Sequence, residues 1–247
     1  KPDPTGFNHA GYRLQGFVAA NEFKIRGLRN HYRKPGIGAP LLARNETIAG
    51  RTANRWVSPN AKVPVTAFLR LDNPRGSMNG GTLTGTIELY DADRTPMVNV
   101  NGSRVPLEYD PSMALAYGLQ GSPLWDFEIA GFRRGDFALL GGKAEGELLF
   151  LRPWHPGRIP VVFVHGTASS PARWAQMVNE LLGDSNIAGR YQFWFFVYNS
   201  GNPIPLSAMH LRESIQAAVN ELDREGKDSA LGKMVVIGHS QGGLLAR

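Results

Sequence analysis

Apolar and polar positions alternate in two different rhythms along this chain, and the change falls near Pro160. Before it, short period-two runs prevail. From Val63 to Leu71, the residues Val63, Val65, Ala67 and Leu69 fall on one face of a predicted strand. From Thr82 to Tyr90, Thr84, Thr86 and Glu88 alternate imperfectly with Leu83, Ile87 and Leu89. Val98 to Val105 reads as a hairpin, because Asn101-Gly102 accepts the positive φ angles of a tight two-residue turn. A short helix is expected over 113–119, and extended segments around 124–133 and 145–152.

After Pro160 the apolar runs become continuous, as in strands covered on both faces by helices. Val161–Val164, Tyr191–Tyr198 and Met234–Gly238 are three such strands. Two helical patterns lie between them. Ser170 caps the first, Pro171 opens it, Trp174, Met177, Val178 and Leu181 form its apolar face, and Gly183 ends it. The second repeats Leu211, Ile215, Ala218 and Leu222 at helical spacing, with Arg212, Glu213, Gln216 and Asp223 outward, and stops at Gly226. Consecutive parallel strands connect right-handedly, so the expected fold class is α/β, a doubly wound, mostly parallel sheet preceded by a β-rich region. The expected division is residues 1–120 for the β-rich part and 121–247 for the sheet.

Composition narrows the chemistry. A hydrophobic content of 42% suffices for a substantial core, while the absence of cysteine excludes disulfides, thiol catalysis and Cys-based zinc sites and fits either cytoplasm or periplasm. No apolar run approaches the roughly 18–20 residues that cross a bilayer. Lys1-Pro2-Asp3-Pro4 lacks the apolar core of a secretory signal, and a start at Lys1 rather than Met leads us to expect a natural beginning further upstream, where a leader or lipid anchor would lie. Charge is lopsided: residues 1–75 hold thirteen Lys and Arg against four acids in a chain whose net charge is +6. The basic stretch Leu28-Arg29-Asn30-His31-Tyr32-Arg33-Lys34 sits among Gly, Pro and apolar residues without any nucleic-acid module around it. A solvated or membrane-facing surface is therefore expected, and no nucleic-acid partner.

Two strand ends carry chemistry. At Val164-His165-Gly166-Thr167-Ala168-Ser169-Ser170 a glycine-containing loop enters a helix, where a backbone amide can face a developing oxyanion without side-chain obstruction; Thr167 is the candidate donor. At Gly238-His239-Ser240-Gln241-Gly242 a G-x-S-x-G turn follows an apolar strand and precedes the helix-forming Leu244-Leu245-Ala246-Arg247. That context exposes the Ser240 hydroxyl at the apex and leaves the Gln241 amide facing the reacting centre. Gly238 and Gly242 are needed because strand and helix backbones pass too close there for a Cβ.

On these residues, Val161 to Thr167 and Val235 to Gly243, the segment from about 120 to 247 resembles the α/β-hydrolase family. It is similar to the lipase and esterase branch with an H-G-T oxyanion loop, including bacterial triacylglycerol lipases and glycosylphosphatidylinositol-inositol deacylase-like hydrolases. The resemblance implies Ser240 as nucleophile of a covalent acyl-enzyme, Thr167 and Gln241 as oxyanion-hole amides, carboxylic esters of lipid-like or acyl type as substrates, and no metal or organic cofactor. It also implies a bacterial envelope or periplasmic location, with the cytoplasm left open.

The family orders its triad as nucleophile, carboxylate, histidine, and only seven residues follow Ser240. Both partners are therefore expected downstream of residue 247, and these 247 residues alone are expected to show little or no turnover. His239, His165 and His210 read as structural, since family order puts the base late; His9, His31 and His155 show no metal-ligand spacing. Phe193, Trp194, Phe195 and Phe196, with Ile204 and Leu206 of an expected loop from Asn199 to Leu206 near the strand's carboxyl end, hint at an apolar acyl pocket, against the simpler reading that a doubly covered strand buries alternate aromatics anyway. Two alternatives stay open: an acyltransferase using the same nucleophile, and a non-catalytic lipid- or protein-binding module on a hydrolase scaffold.

Overall fold

The computed structural model describes residues 7–9, 12–22, 25, 27–47, 55–58, 61–78, 80, 82–120 and 146–247. Before residue 121 the chain forms a five-stranded antiparallel sheet in the order β1 (Phe7–His9), β2 (Tyr12–Ala19), β3 (Ala39–Thr47), β4 (Lys62–Asp72), β5 (Thr84–Asp91). A one-turn helix α1 (Pro74–Ser77) joins β4 to β5. The separate hairpin β6 (Met97–Val100) and β7 (Ser103–Pro106) turns on Asn101 and Gly102, both at positive φ, as that pair predicts. Helix α2 (Pro111–Gln120) replaces the shorter helix expected over 113–119.

The expected face of β4 is realised only in part. Val63 and Val65 are buried in one cluster with Leu14 and Ala43, but Leu69 is 57% exposed, because the β4–β5 ribbon runs on past the core. The segment expected to be extended at 124–133 lies outside the described residues.

The later part builds a four-stranded sheet in the order β11 (Val235–Gly238), β9 (Ile159–Val164), β10 (Tyr191–Val197), β8 (Glu147–Phe150). β9 pairs in parallel with both β10 and β11, whereas β8 runs antiparallel to β10. Across the described residues the sheets are mostly antiparallel, one of them a curled half-barrel, so the molecule is a mixed α/β protein; the expected doubly wound, mostly parallel sheet is reduced here to the three strands β9, β10 and β11. Periodicity could not reveal this, since parallel and antiparallel strands share the period of two.

Alternate residues of β9 and β10 serve two cores. Val162, Val164, Trp194 and Phe196 face α5 (Ile204–Leu222) through Leu211, Ala218 and Leu222. Val161, Phe163, Phe193 and Phe195 face α3 (Ala175–Gly183) through Val178 and Leu182, and α2 through Leu115. Burying each such side chain contributes on the order of 1.5–3 kcal/mol, which is why these strands carry no polar face. The four aromatics are thus core: Trp194 stacks on Phe150 at 4.1 Å. Phe195 also borders an apolar cavity of about 80 Å³ among Leu115, Leu119, Leu149, Ala172 and Ala175.

The expected face of α3 is rotated. Pro171–Trp174 forms a 3-10 turn capped by Ser170 Oγ, and at three residues per turn it shifts the phase before the α-helix begins. Ala175, Val178, Asn179 and Leu182 are consequently buried, while Met177 is left 40% exposed. A short helix α4 (Ser185–Arg190), capped by Asp184, follows. The basic stretch 28–34 is pinned along this edge. His31 meets Asp110 at 2.6 Å, Arg33 pairs with Glu108, and Lys34 reaches the Gly183 carbonyl and Ser185 Oγ.

Candidate active site

The end of β11 meets the start of helix α6 (Gln241–Leu245) at Ser240. Gly238 lies opposite Val164 in the parallel ladder, and the His239 N–H donates to the Val164 carbonyl at 3.0 Å, so β9 guides the chain up to the turn. Ser240 then adopts φ 54° and ψ −123°, one of four non-glycine residues at positive φ among the described residues. Such a conformation costs on the order of 1–3 kcal/mol and persists only where its surroundings over-determine it. The surroundings are visible. Gly242 N–H donates to His239 O at 3.0 Å and Gly243 N–H to Ser240 O at 2.9 Å, closing the turn. A Cβ on Gly238 would overlap the Gly242 carbonyl, and one on Gly242 would overlap the carbonyls of Val164 and His165. Backbone cannot yield as a side chain can, so both positions require glycine. Ser240 itself is exposed.

The loop after β9 backs onto this turn. A Cβ on Gly166 would come within 3.0 Å of the Ser240 Cβ, which fixes how near the two segments lie. The Thr167 hydroxyl donates to Gln241 Oε1 at 3.0 Å, linking the two residues that the sequence nominates as oxyanion donors. Their backbone amides donate to no other described residue. For Gln241 this is a property of position, since the first N–H groups of a helix have no intrahelical acceptor. The neighbouring Ala168 amide, by contrast, is taken by Ser200 Oγ at 2.9 Å. The three nominated residues therefore share one place.

His165 is built into the wall beneath them. It is 2% exposed and stacks on Tyr198 at 4.5 Å. Its Nδ1–H donates to Gly166 O at 3.0 Å, and its Nε2 accepts from the Tyr198 N–H at 3.5 Å. Tyr198 returns a bond from its hydroxyl to His165 O at 2.9 Å. Burial pushes the Tyr198 phenol up to about 12, so it remains a proton donor throughout the neutral range. With both ring nitrogens engaged, His165 supports the turn rather than serving Ser240. His239 presents its ring at 6.4 Å, edge to face, to Trp174, and His210 lies against Gly146. No described histidine or carboxylate is hydrogen-bonded to Ser240 Oγ.

Three residues at this site escape sequence reasoning: Tyr198, Ser200 and Trp174. Tyr198 and Ser200 follow β10 at its carboxyl end, and the rule that ligands gather at such ends marks the region but not these two residues. Trp174 is reached only through the 3-10 turn. Among the described residues no group of three or more His, Asp or Glu could hold a metal ion, and no helix is long and apolar enough to cross a membrane. No protein-family model matches the chain, and neither a curated protein nor a solved structure matches it.

Proposed function

We propose that this protein is a serine hydrolase of the α/β-hydrolase type, lipase and esterase branch, acting on carboxylic esters through a covalent acyl-enzyme on Ser240. The observation that carries the reading is the exposed Ser240 at φ 54° and ψ −123°, flanked by glycines whose places admit no side chain. A serine with no chemical task gains nothing from that conformation. Two amides beside it, those of Thr167 and Gln241, which no other described residue accepts, supply what an acyl-transfer site needs most, donors for developing negative charge.

In the proposed reaction Ser240 Oγ attacks the ester carbonyl carbon and passes its proton to a general base. The carbonyl π electrons move onto oxygen, and the Thr167 and Gln241 amides hold that oxyanion. Its collapse breaks the bond to the alkoxide, which leaves as the alcohol after taking the proton from the base. Water then repeats the sequence and frees the carboxylic acid. We assign the base to the carboxylate-and-histidine pair that the resemblance orders after the nucleophile. Lipid-like or acyl esters are the proposed substrate class, in keeping with that resemblance.

In the native protein a fluorophosphonate probe is expected to modify one serine, on the peptide containing Ser240, and the modification is expected to vanish in Ser240→Ala. A folded native protein that the probe leaves untouched, or labels at another serine, would falsify the reading.

A further inference from the structure

We propose that Ser200 is a positioning residue of the oxyanion hole; the inference rests on the hydrolase reading above and adds to it the part that holds the two donors in register. The proposed donors come from different elements, Thr167 from the loop after β9 and Gln241 from the first position of α6, and a third segment joins them. Ser200, 8% exposed at the end of β10, contacts both sides at once. Its Oγ accepts the Ala168 N–H at 2.9 Å, and its carbonyl accepts from Gln241 Nε2 at 3.2 Å. Gln241 Oε1 in turn accepts from the Thr167 hydroxyl at 3.0 Å. The bonds close a ring through Ser200, Ala168, Thr167 and Gln241.

Ser200 is the member on which the ring depends. Thr167 is exposed, so water competes for its bond to Gln241, whereas the Ser200 hydroxyl is shielded. Ala168 sits at φ 49°, a left-handed conformation that strains a residue with a Cβ and needs an external hold. The hold is the bond to Ser200 Oγ. It also removes the Ala168 amide from competition with the Thr167 amide. Ser200 is itself anchored, because Asn199 caps its turn: Gly201 N–H donates to Asn199 Oδ1 at 2.8 Å and Asn202 N–H to Asn199 O at 3.1 Å. Removing the hydroxyl frees the Ala168 peptide to rotate and carries the Thr167 amide with it.

The test compares native protein, Ser200→Ala and Ser200→Thr in hydrolysis of p-nitrophenyl butyrate and in amide hydrogen exchange at Ala168. Ser200→Ala is expected to lower kcat by about ten- to a hundredfold, the range of a slightly misplaced or weakened oxyanion donor, with KM unchanged and faster exchange at Ala168. Ser200→Thr keeps the hydroxyl and is expected to recover most of kcat and the slow exchange. Unchanged kcat in Ser200→Ala, a change confined to KM, or a loss that follows a general fall in melting temperature and is not recovered by threonine, overturns the inference. Failure of the hydrolase reading looks different: native protein then neither turns over ester nor takes up fluorophosphonate. In that case exchange at Ala168 still decides whether Ser200 holds the loop.

Discussion

At Ser240 a side chain occupies backbone geometry that glycine would adopt at no steric cost, and the ladder to β9 and the turn bonds of His239, Gly242 and Gly243 leave the chain no other course. This separates two substitutions that both remove the hydroxyl. Ser240→Gly is expected to exceed Ser240→Ala in stability by about 1 kcal/mol, because alanine keeps the strained Cβ, and denaturant unfolding of the two variants measures the difference. The neighbouring glycines act by contact. Gly242→Ala would drive a methyl group into the Val164 and His165 carbonyls and is expected to cost about 1–3 kcal/mol, typical of overpacking, together with the fluorophosphonate label. Thermal melting with labelling checks both effects, and a fully labelled, undiminished Gly242→Ala would contradict the close packing described here. The candidate site was legible at this scale since the motif is local: Gly238, Ser240 and Gly242 are close in sequence, and their requirements follow from one sharp turn. Ser200 was not legible, because its bonds reach 32 and 41 residues along the chain.

At the scale of elements, caps and turns behaved as their residues dictate. Ser170 and Pro171 open the helix after β9, and Asn101-Gly102 makes the β6–β7 turn. Asp184 caps α4 by accepting the N–H groups of Asn186 and Ile187 at 2.8 and 3.3 Å. Asp184→Ala is expected to cost about 1 kcal/mol in urea unfolding, the usual worth of an N-cap, and a variant as stable as the parent would show that α4 draws its stability elsewhere. Helix phase was harder to read. The apolar face of α3 was displaced by a 3-10 turn that leaves the pattern of apolar residues looking helical, and α5 takes in Ile204 to Leu206, which read as loop. The direction of β8 was hidden for a similar reason, as Glu147–Phe150 pairs with Trp194–Val197 equally well in alternation whichever way it runs.

At the scale of the whole molecule, Asp93 ties the two sheets together. It follows β5, and its carboxylate meets Arg152, just after β8, at 2.6 Å and Arg158, just before β9, at 2.9 Å. Burial pushes this carboxyl up, but the two guanidiniums outweigh it and hold it below its ordinary value. A depressed folded-state value means that the charged pair stabilises the fold above the usual carboxylate range, and that this contribution fades as pH falls through the folded value. Asp93→Asn is expected to cost about 2 kcal/mol at neutral pH by leaving two part-buried guanidiniums without their carboxylate, and to flatten the acid limb of a melting-temperature profile. An unchanged acid limb would assign acid sensitivity to other carboxylates. The same tie illustrates the division between sequence and structure. Residue order alone indicated strands β4 to β11, the Ser170 cap, the Asn-Gly turn and the serine turn, because each is set by torsional and steric demands within a few residues, whereas β1, β2, β3 and the Asp184 cap emerged only with the structure. Only the tertiary structure decided the antiparallel place of β8, the rotation of α3, the union of Asp93 with its arginines and the ring through Ser200, because these depend on which distant surfaces exclude water from one another.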